Sequence, residues 1–257
     1  MPRARIIPSL LVRDGGLVKT RAFADEKYVG DPINAVRIFN EKEADELVVT
    51  DIDATVQRRE PNYQMIDNLA AECRMPLCYG GGITTVEQAK RILGLGVEKV
   101  AVSAAAVARP ELIGEIAAQI GNQSVVVVLD VRKRTLGGYR TYTHNGRIDA
   151  KVSPVDFARK AESLGAGEII VNAIDHDGMM NGYDLNIAAQ IRAATTLPLT
   201  LLGGAGSLAH MQEAVRRLGT IGLGAGSFFV FKGQYRAVLI SYPGTSERNA
   251  LQQAVLA

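Results

Sequence analysis

Met75-Pro76-Leu77-Cys78-Tyr79-Gly80-Gly81-Gly82 and Leu197-Pro198-Leu199-Thr200-Leu201-Leu202-Gly203-Gly204 carry the same features in the same order: a proline, a short apolar run and a glycine pair. A third match, Ile52-Asp53 with Ile174-Asp175, falls at the same offset of 122 residues. Three matches in order at one spacing mark an internal repeat, so half of the chain copies the other half. Working outward, short β-branched runs recur at Ile6 to Val12, Leu47 to Ile52, Leu77 to Tyr79, Val100 to Ser103, Val125 to Val131, Ile169 to Asn172, Leu199 to Leu202 and Ile221 to Leu223. Few alternate cleanly between apolar and polar residues, as befits parallel strands covered on both faces. Helical signals follow each run. Asp31-Pro32 and Ser153-Pro154 set a capping residue before a proline at the first helical position, and Thr84 with Glu87 has capping-box spacing. Eight strand-helix units in 257 residues predict an α/β fold, a single (β/α)8 barrel over residues 1–257 with a half-barrel repeat.

Composition narrows the function. With 29 Lys+Arg against 27 Asp+Glu the net charge is +2, too small to suggest a surface that neutralises a nucleic-acid backbone. Cys73 and Cys78 are too few for a disulfide framework and the three histidines lie far apart, so no metal site is expected. No apolar run approaches a membrane span, and the N-terminal stretch is broken by Pro8 and Ser9, unlike a signal peptide. The expectation is a cytoplasmic protein that binds small molecules or other proteins.

Two connections are longer than a usual βα loop. Arg13 to Asp31, with Gly15-Gly16 and Lys19, reads as a mobile basic loop over the strand ends; Tyr139 to Gly146 ends in Asn145-Gly146, a hairpin signal. Both follow strands, on the face where barrel enzymes keep their active sites. Gly80-Gly81-Gly82, Gly203-Gly204-Ala205-Gly206 and Gly224-Ala225-Gly226-Ser227 end the third, seventh and eighth runs. Glycine there serves a tight turn or lets backbone N–H groups approach an anion; placement at both ends of the mouth favours a ligand with two phosphates. Asp51 and Asp53, Asp130, and Asp175 and Asp177 end strands on the same rim. Asp130 is the strongest candidate acid-base group, because four valines and a leucine precede it and desolvation raises a carboxyl pKa. Asp51 has a plainer use as a cap, and Asp177-Gly178 as a turn.

Arg5-Ile6-Ile7-Pro8, Asp14-Gly15, Lys19, Gly30-Asp31-Pro32, Asp45-Glu46-Leu47, Gly80-Gly81-Gly82-Ile83, Asp175-His176-Asp177-Gly178, Gly182-Tyr183-Asp184 and Gly203-Gly204-Ala205-Gly206 span nearly the whole chain. In this ordered set the sequence resembles the cyclase subunit family of imidazole glycerol phosphate synthase. The resemblance implies a barrel that takes ammonia from a glutaminase docked on its N-terminal face and uses it to cleave and cyclise a phosphorylated intermediate, without a cofactor. It implies catalytic roles for Asp130 and Lys19, contacts to a phosphorylated ligand at Gly82, Ser103, Asp177, Gly178, Gly204, Gly226 and Ser227, and an ammonia gate of Arg5, Glu46, Lys99 and Glu168. From the residues alone, each of those four stands at or just before the start of an odd-numbered strand, so one layer across the barrel floor is expected. A structural layer of buried ion pairs is the alternative.

Three positions depart from the family. Leu11 stands where it has its first catalytic aspartate, Ser103-Ala104 where it has Asn-Thr, and Asn172 where it usually has threonine. Half of the acid-base pair is gone. In this the sequence is similar to a divergent branch, associated with a glutaminase-like partner and a sugar-amidating ligase in surface-polysaccharide pathways. That resemblance implies ammonia delivery for sugar amidation. An ordinary cyclase with Asp53 replacing the missing carboxylate, and a scaffold that only activates the glutaminase, remain as alternatives.

Overall fold

The computed structural model describes residues 3–256. Eight parallel strands form its centre: β1 (Arg5–Arg13), β2 (Leu47–Asp51), β3 (Leu77–Gly80), β4 (Lys99–Val102), β5 (Val125–Lys133), β6 (Glu168–Ala173), β7 (Leu199–Leu202) and β8 (Gly222–Ala225). Each pairs with its sequence neighbour, and β8 returns to β1 with Arg5 opposite Gly222, so the barrel is closed. Helices between the strands make this the expected (β/α)8 barrel. Closure leaves no barrel edge for another chain to extend.

The strands read as continuously apolar because both faces are buried, against different neighbours. Ile169, Val171 and Ala173 of β6 pack outward in the large core with the helices, whereas Ile170 points inward with Ile7, Val48, Cys78, Ala101 and Val126. Full burial of one such aliphatic side chain stabilises by about 1.5–3 kcal/mol. The period of two sets a vertical order: β6 sends Glu168, Ile170 and Asn172 into the barrel, and β4 sends Lys99, Ala101 and Ser103.

Local signals mostly act where expected. Asp31 accepts from Asn34 N before the helix Pro32–Glu41, and Ser153 from Asp156 N before Pro154–Ser163. The capping box lies one residue later than expected, with Thr85 and Gln88 as partners, because Thr85 takes the extended cap conformation. Arg13 to Asp31 is an antiparallel hairpin, Gly16–Arg21 with Ala24–Gly30, rather than an irregular loop. The overhanging end of β1 templates it, pairing Leu11 with Val18. The second connection forms the expected hairpin: Tyr139–Thr143 pairs with β5 and with Ile148–Asp149.

The repeat recurs in three dimensions. Gly81 (φ +117°) and Gly203 (φ +88°) turn the chain out of β3 and β7, and an added Cβ would lie 2.4 Å from Asp51 O and 2.5 Å from Ala173 O. Both the positive φ and the backbone contact demand glycine. Short helices Ala104–Ala108 and Ser227–Val230 follow β4 and β8, again half a barrel apart. Gly203→Ala is expected to destabilise the protein by about 2–4 kcal/mol, read as a lower urea midpoint. An unchanged midpoint would contradict this account of the turn.

Candidate functional site

Four charged side chains meet inside the floor. Arg5 Nη1 bonds Glu46, Arg5 Nη2 lies 2.7 Å from Glu168 Oε1, and Lys99 Nζ lies 2.7 Å from Glu46 Oε1 and 2.9 Å from Glu168 Oε2. The cations alternate with the carboxylates in a closed ring. Burial disfavours charge on Lys99, but Glu168 and Glu46 outweigh it and raise its pKa; burial likewise opposes the ionised Glu168, whose pKa Arg5 and Lys99 nevertheless lower. Each charge is tolerable because its neighbours are there.

The four residues do form one layer, but not from odd-numbered strands. Glu46, Lys99 and Glu168 stand at the starts of β2, β4 and β6, as alternate strands of a barrel share a layer. The next alternate strand, β8, starts with Gly222, which has no side chain to contribute, and Arg5 reaches in from its register partner on β1. Thr200, missed in the sequence reading, donates its hydroxyl to Glu168 Oε1 at 2.6 Å. Its spacing to Leu202 on β7 carried the signal.

Above the ring lies the apolar layer of Ile7, Val48, Cys78, Ala101, Val126 and Ile170, and above that the mouth opens as a cavity of about 580 Å³. Its lining gathers Asp130, Lys19, Gly82, Ser103, Asp177, Gly178, Gly204, Gly226 and Ser227, together with Leu11 and Asn172. Asp130 follows the apolar run of β5, and burial pushes its carboxyl up to about 7 although Asn172 Nδ2 donates to Oδ1 at 2.8 Å. Lys19 is buried at the mouth with its ammonium bonded to Ser9 O. Burial lowers its pKa to about 8, opposed by the charge of Asp177. An added Cβ at Gly226 would lie 2.8 Å from Lys19 Nζ, so the cation stands at the β7/β8 glycine cluster.

Asp177 is used within the fold. Thr20 Oγ1 donates to its Oδ2 at 2.5 Å and Phe23 N to the same oxygen at 3.3 Å, fastening the first hairpin over the mouth. Gly178 permits that approach, since a Cβ there would lie 2.0 Å from Thr20 O. Asp51 takes the plain capping role, accepting from Asp53 N and Ala54 N, each at 3.0 Å. Asp53 is held by the Arg13 guanidinium at 3.0 and 2.9 Å, in a two-pronged pair that occupies both oxygens. Neither that pair nor the rim residues, Arg132 on β5 and His144 and Arg147 at the turn of the second hairpin, was legible in the sequence.

A (β/α)8 barrel with a charged ring in its floor, a glycine-lined mouth and a carboxyl of raised pKa at a strand end has the anatomy of a small-molecule barrel enzyme. More narrowly, the chain belongs to the histidine biosynthesis protein family, whose pattern it matches over residues 5–236. It is 52% identical, over 98% of its length and 99% of the relative's, to the "Putative imidazole glycerol phosphate synthase subunit HisF" of Leptospira interrogans. It is 53% identical to the "Putative imidazole glycerol phosphate synthase subunit hisF3" of Vibrio vulnificus, over 96% of each chain. The "Imidazole glycerol phosphate synthase subunit HisF" of Streptomyces coelicolor is 40% identical over 82% of this chain and 84% of its own. No helix among the described residues is long and apolar enough to cross a membrane.

The buried carboxyl has a consequence for stability. Native Asp130 keeps its proton up to about pH 7, whereas an unfolded aspartate loses it near pH ~4. Between those values the native state binds the extra proton, so its stability is fully present below the unfolded pKa and falls as pH rises towards 7. Asp130→Asn lacks that decline. The variant should gain stability relative to the parent from pH ~4 to ~7, with the difference levelling off above; urea denaturation across pH tests this, and a pH-independent difference would refute it.

Proposed function

We propose that this chain is a HisF-type subunit that takes ammonia at its floor from a partner glutaminase and uses it at the mouth on a phosphorylated small molecule, in the cytoplasm. The observation that carries this reading is the continuity of the barrel interior. The ring of Arg5, Glu46, Lys99 and Glu168 lies under an apolar layer, and that layer leads to the cavity holding Asp130 and Lys19. A floor built only for stability gains little from ion pairs, since apolar packing serves as well. A polar ring does suit a small polar nitrogen species entering from a docked partner, and the apolar layer above it favours the neutral form. At the mouth, the Lys19 ammonium beside Gly226 and the paired glycine turns suit phosphate groups, while Asp130, with a pKa near neutrality, suits proton transfer.

Two reactions fit this arrangement. The relatives' names favour the cyclase reaction of imidazole glycerol phosphate synthase. Leu11 favours the other, in which ammonia is passed on for sugar amidation together with a ligase: β1 brings no carboxylate to face Asp130, and Asp53, the substitute suggested by the sequence, is committed to Arg13. An acid or base in place contributes about 10²- to 10⁴-fold, so cyclase turnover with ammonium salt and the bisphosphate intermediate should be lower by that factor than in a HisF that has both aspartates. Leu11→Asp should raise it. Family-like turnover by the unmodified protein would decide for the cyclase.

The glutaminase half is tested separately. Lys99→Ala opens the ring on the inside without touching the outer floor surface. It should leave complex formation and glutamine hydrolysis within about twofold, while cutting transfer of nitrogen to the acceptor by about tenfold or more. Absence of any complex in titration with the glutaminase would overturn the reading.

A further inference from the structure

Among the described residues, five buried side-chain polar atoms lack a hydrogen-bond partner, and two of them, Ser103 Oγ and Asn172 Oδ1, belong to residues lining the mouth cavity. Native interiors leave few polar groups unpaired. Asn172 is the more telling of the two. Its amide nitrogen is spent on Asp130 Oδ1 at 2.8 Å, which leaves the carbonyl oxygen without a partner. Asp130 Oδ2 has no protein hydrogen bond among the described residues. Register sets the two residues side by side on β5 and β6, directly above Val128 and Ile170. The pair therefore caps the apolar layer and offers oxygens with nothing to accept from.

The neighbouring cations are engaged elsewhere. Lys19 bonds Ser9 O, and Arg132 lies 3.4 Å from Asp175 Oδ1 and 3.4 Å from Gly146 O while stacking on Tyr142. Asp177 is the charged group that acts on Asp130 most directly, and its repulsion favours a cation beside the pair. Tyr142 stands opposite Asp130 on the paired hairpin strand. Leu11 offers neither charge nor hydrogen bond.

We propose that Asn172 Oδ1 and Asp130 form a reception site for a nitrogen centre bearing N–H donors, ammonium being the smallest, at the head of the barrel interior. The proposal rests on the reading that nitrogen enters through the floor, and it gives Asn172 a positioning and binding role. Ammonia, neutral as it leaves the apolar layer, donates one N–H to the Asn172 carbonyl and another to the Asp130 carboxylate and keeps its lone pair free; ammonium entering from the open mouth binds the same two oxygens. The ammonium then passes a proton to Asp130, which leaves neutral ammonia with a free lone pair and a carboxylic acid: one N–H bond breaks and one O–H bond forms. The elevated Asp130 pKa brings that transfer closer to balance than an ordinary aspartate would.

The test uses the whole chain without a glutaminase. The Asp130 carboxyl carbon is assigned by NMR through its loss in Asp130→Asn and titrated at pH 8 with ammonium chloride, and in parallel with potassium chloride, similar in ionic size, and tetramethylammonium chloride, which has no N–H. The expected result is a saturable shift with ammonium alone and a fall in the Asp130 pKa, because a bound cation favours the carboxylate. Asn172→Leu and Asn172→Thr should weaken the ammonium response tenfold or more. If Asn172→Leu does not fold, Asn172→Thr, which replaces the amide by a smaller hydroxyl, carries the comparison. An equal response to potassium, or an undiminished response in the folded variant, would overturn the proposal. Failure here leaves the floor reading standing, whereas failure of a glutaminase to bind removes the source assigned to the nitrogen without altering the ammonium response measured here.

Discussion

A barrel strand covered on both faces sends alternate side chains inward, and every feature of this molecule's axis depends on that spacing. On β6 the inward residues are Glu168, Ile170 and Asn172; on β4 they are Lys99, Ala101 and Ser103. Each strand therefore contributes a polar group to the floor, an apolar group to the middle and a polar group to the mouth, while the residues between hold the helices. A shift by one residue would turn the charged ring towards the helices and the aliphatic residues towards the cavity. Barrel closure through β8 and β1 fixes the register against such a shift.

The electrostatics follow from the same arrangement. In the floor, two cations and two carboxylates are held together, and the attraction of opposite charges raises the pKa of Arg5 and Lys99 and lowers that of Glu168. At the mouth, Asp130 is buried without a cation partner, so the same loss of water raises its pKa. Desolvation thus opposes charge at both ends of the barrel, and only in the floor do opposite charges outweigh it. Lys19, buried near Asp177, lies between these extremes, its pKa lowered only to about 8.

The first hairpin links the loops to this site. Thr20 and Phe23 hold Asp177, Gly178 allows the backbones to touch, and the Lys19 ammonium is carried to Gly226. Asp177, expected as a ligand contact, lines the mouth and also spends one oxygen on the first hairpin. Across the mouth from Asp130, β1 presents Leu11 rather than a second carboxylate, which sets it apart from the arrangement implied by the family resemblance.

The repeat at 122 residues, the both-faces-apolar strands, the glycine turns and the acidic rim could all be read in the sequence, because each depends on the period of the chain or on the conformational demands of a residue and its neighbours. Those signals determined the barrel and brought attention to Asp130, Lys19 and the glycines. The tertiary structure decided how long-range partners combine. Asp53 was legible as a rim acid but not as the captive of Arg13, forty residues earlier; Arg13 to Asp31 was legible as a basic connection but not as a hairpin templated by β1. Gly222 and Arg5 show why: the gap left by one strand is filled from its neighbour across the seam where the first and last strands meet. Composition and local spacing fix which groups point inward, whereas the partner each group finds, and hence its charge, is set only when the barrel closes.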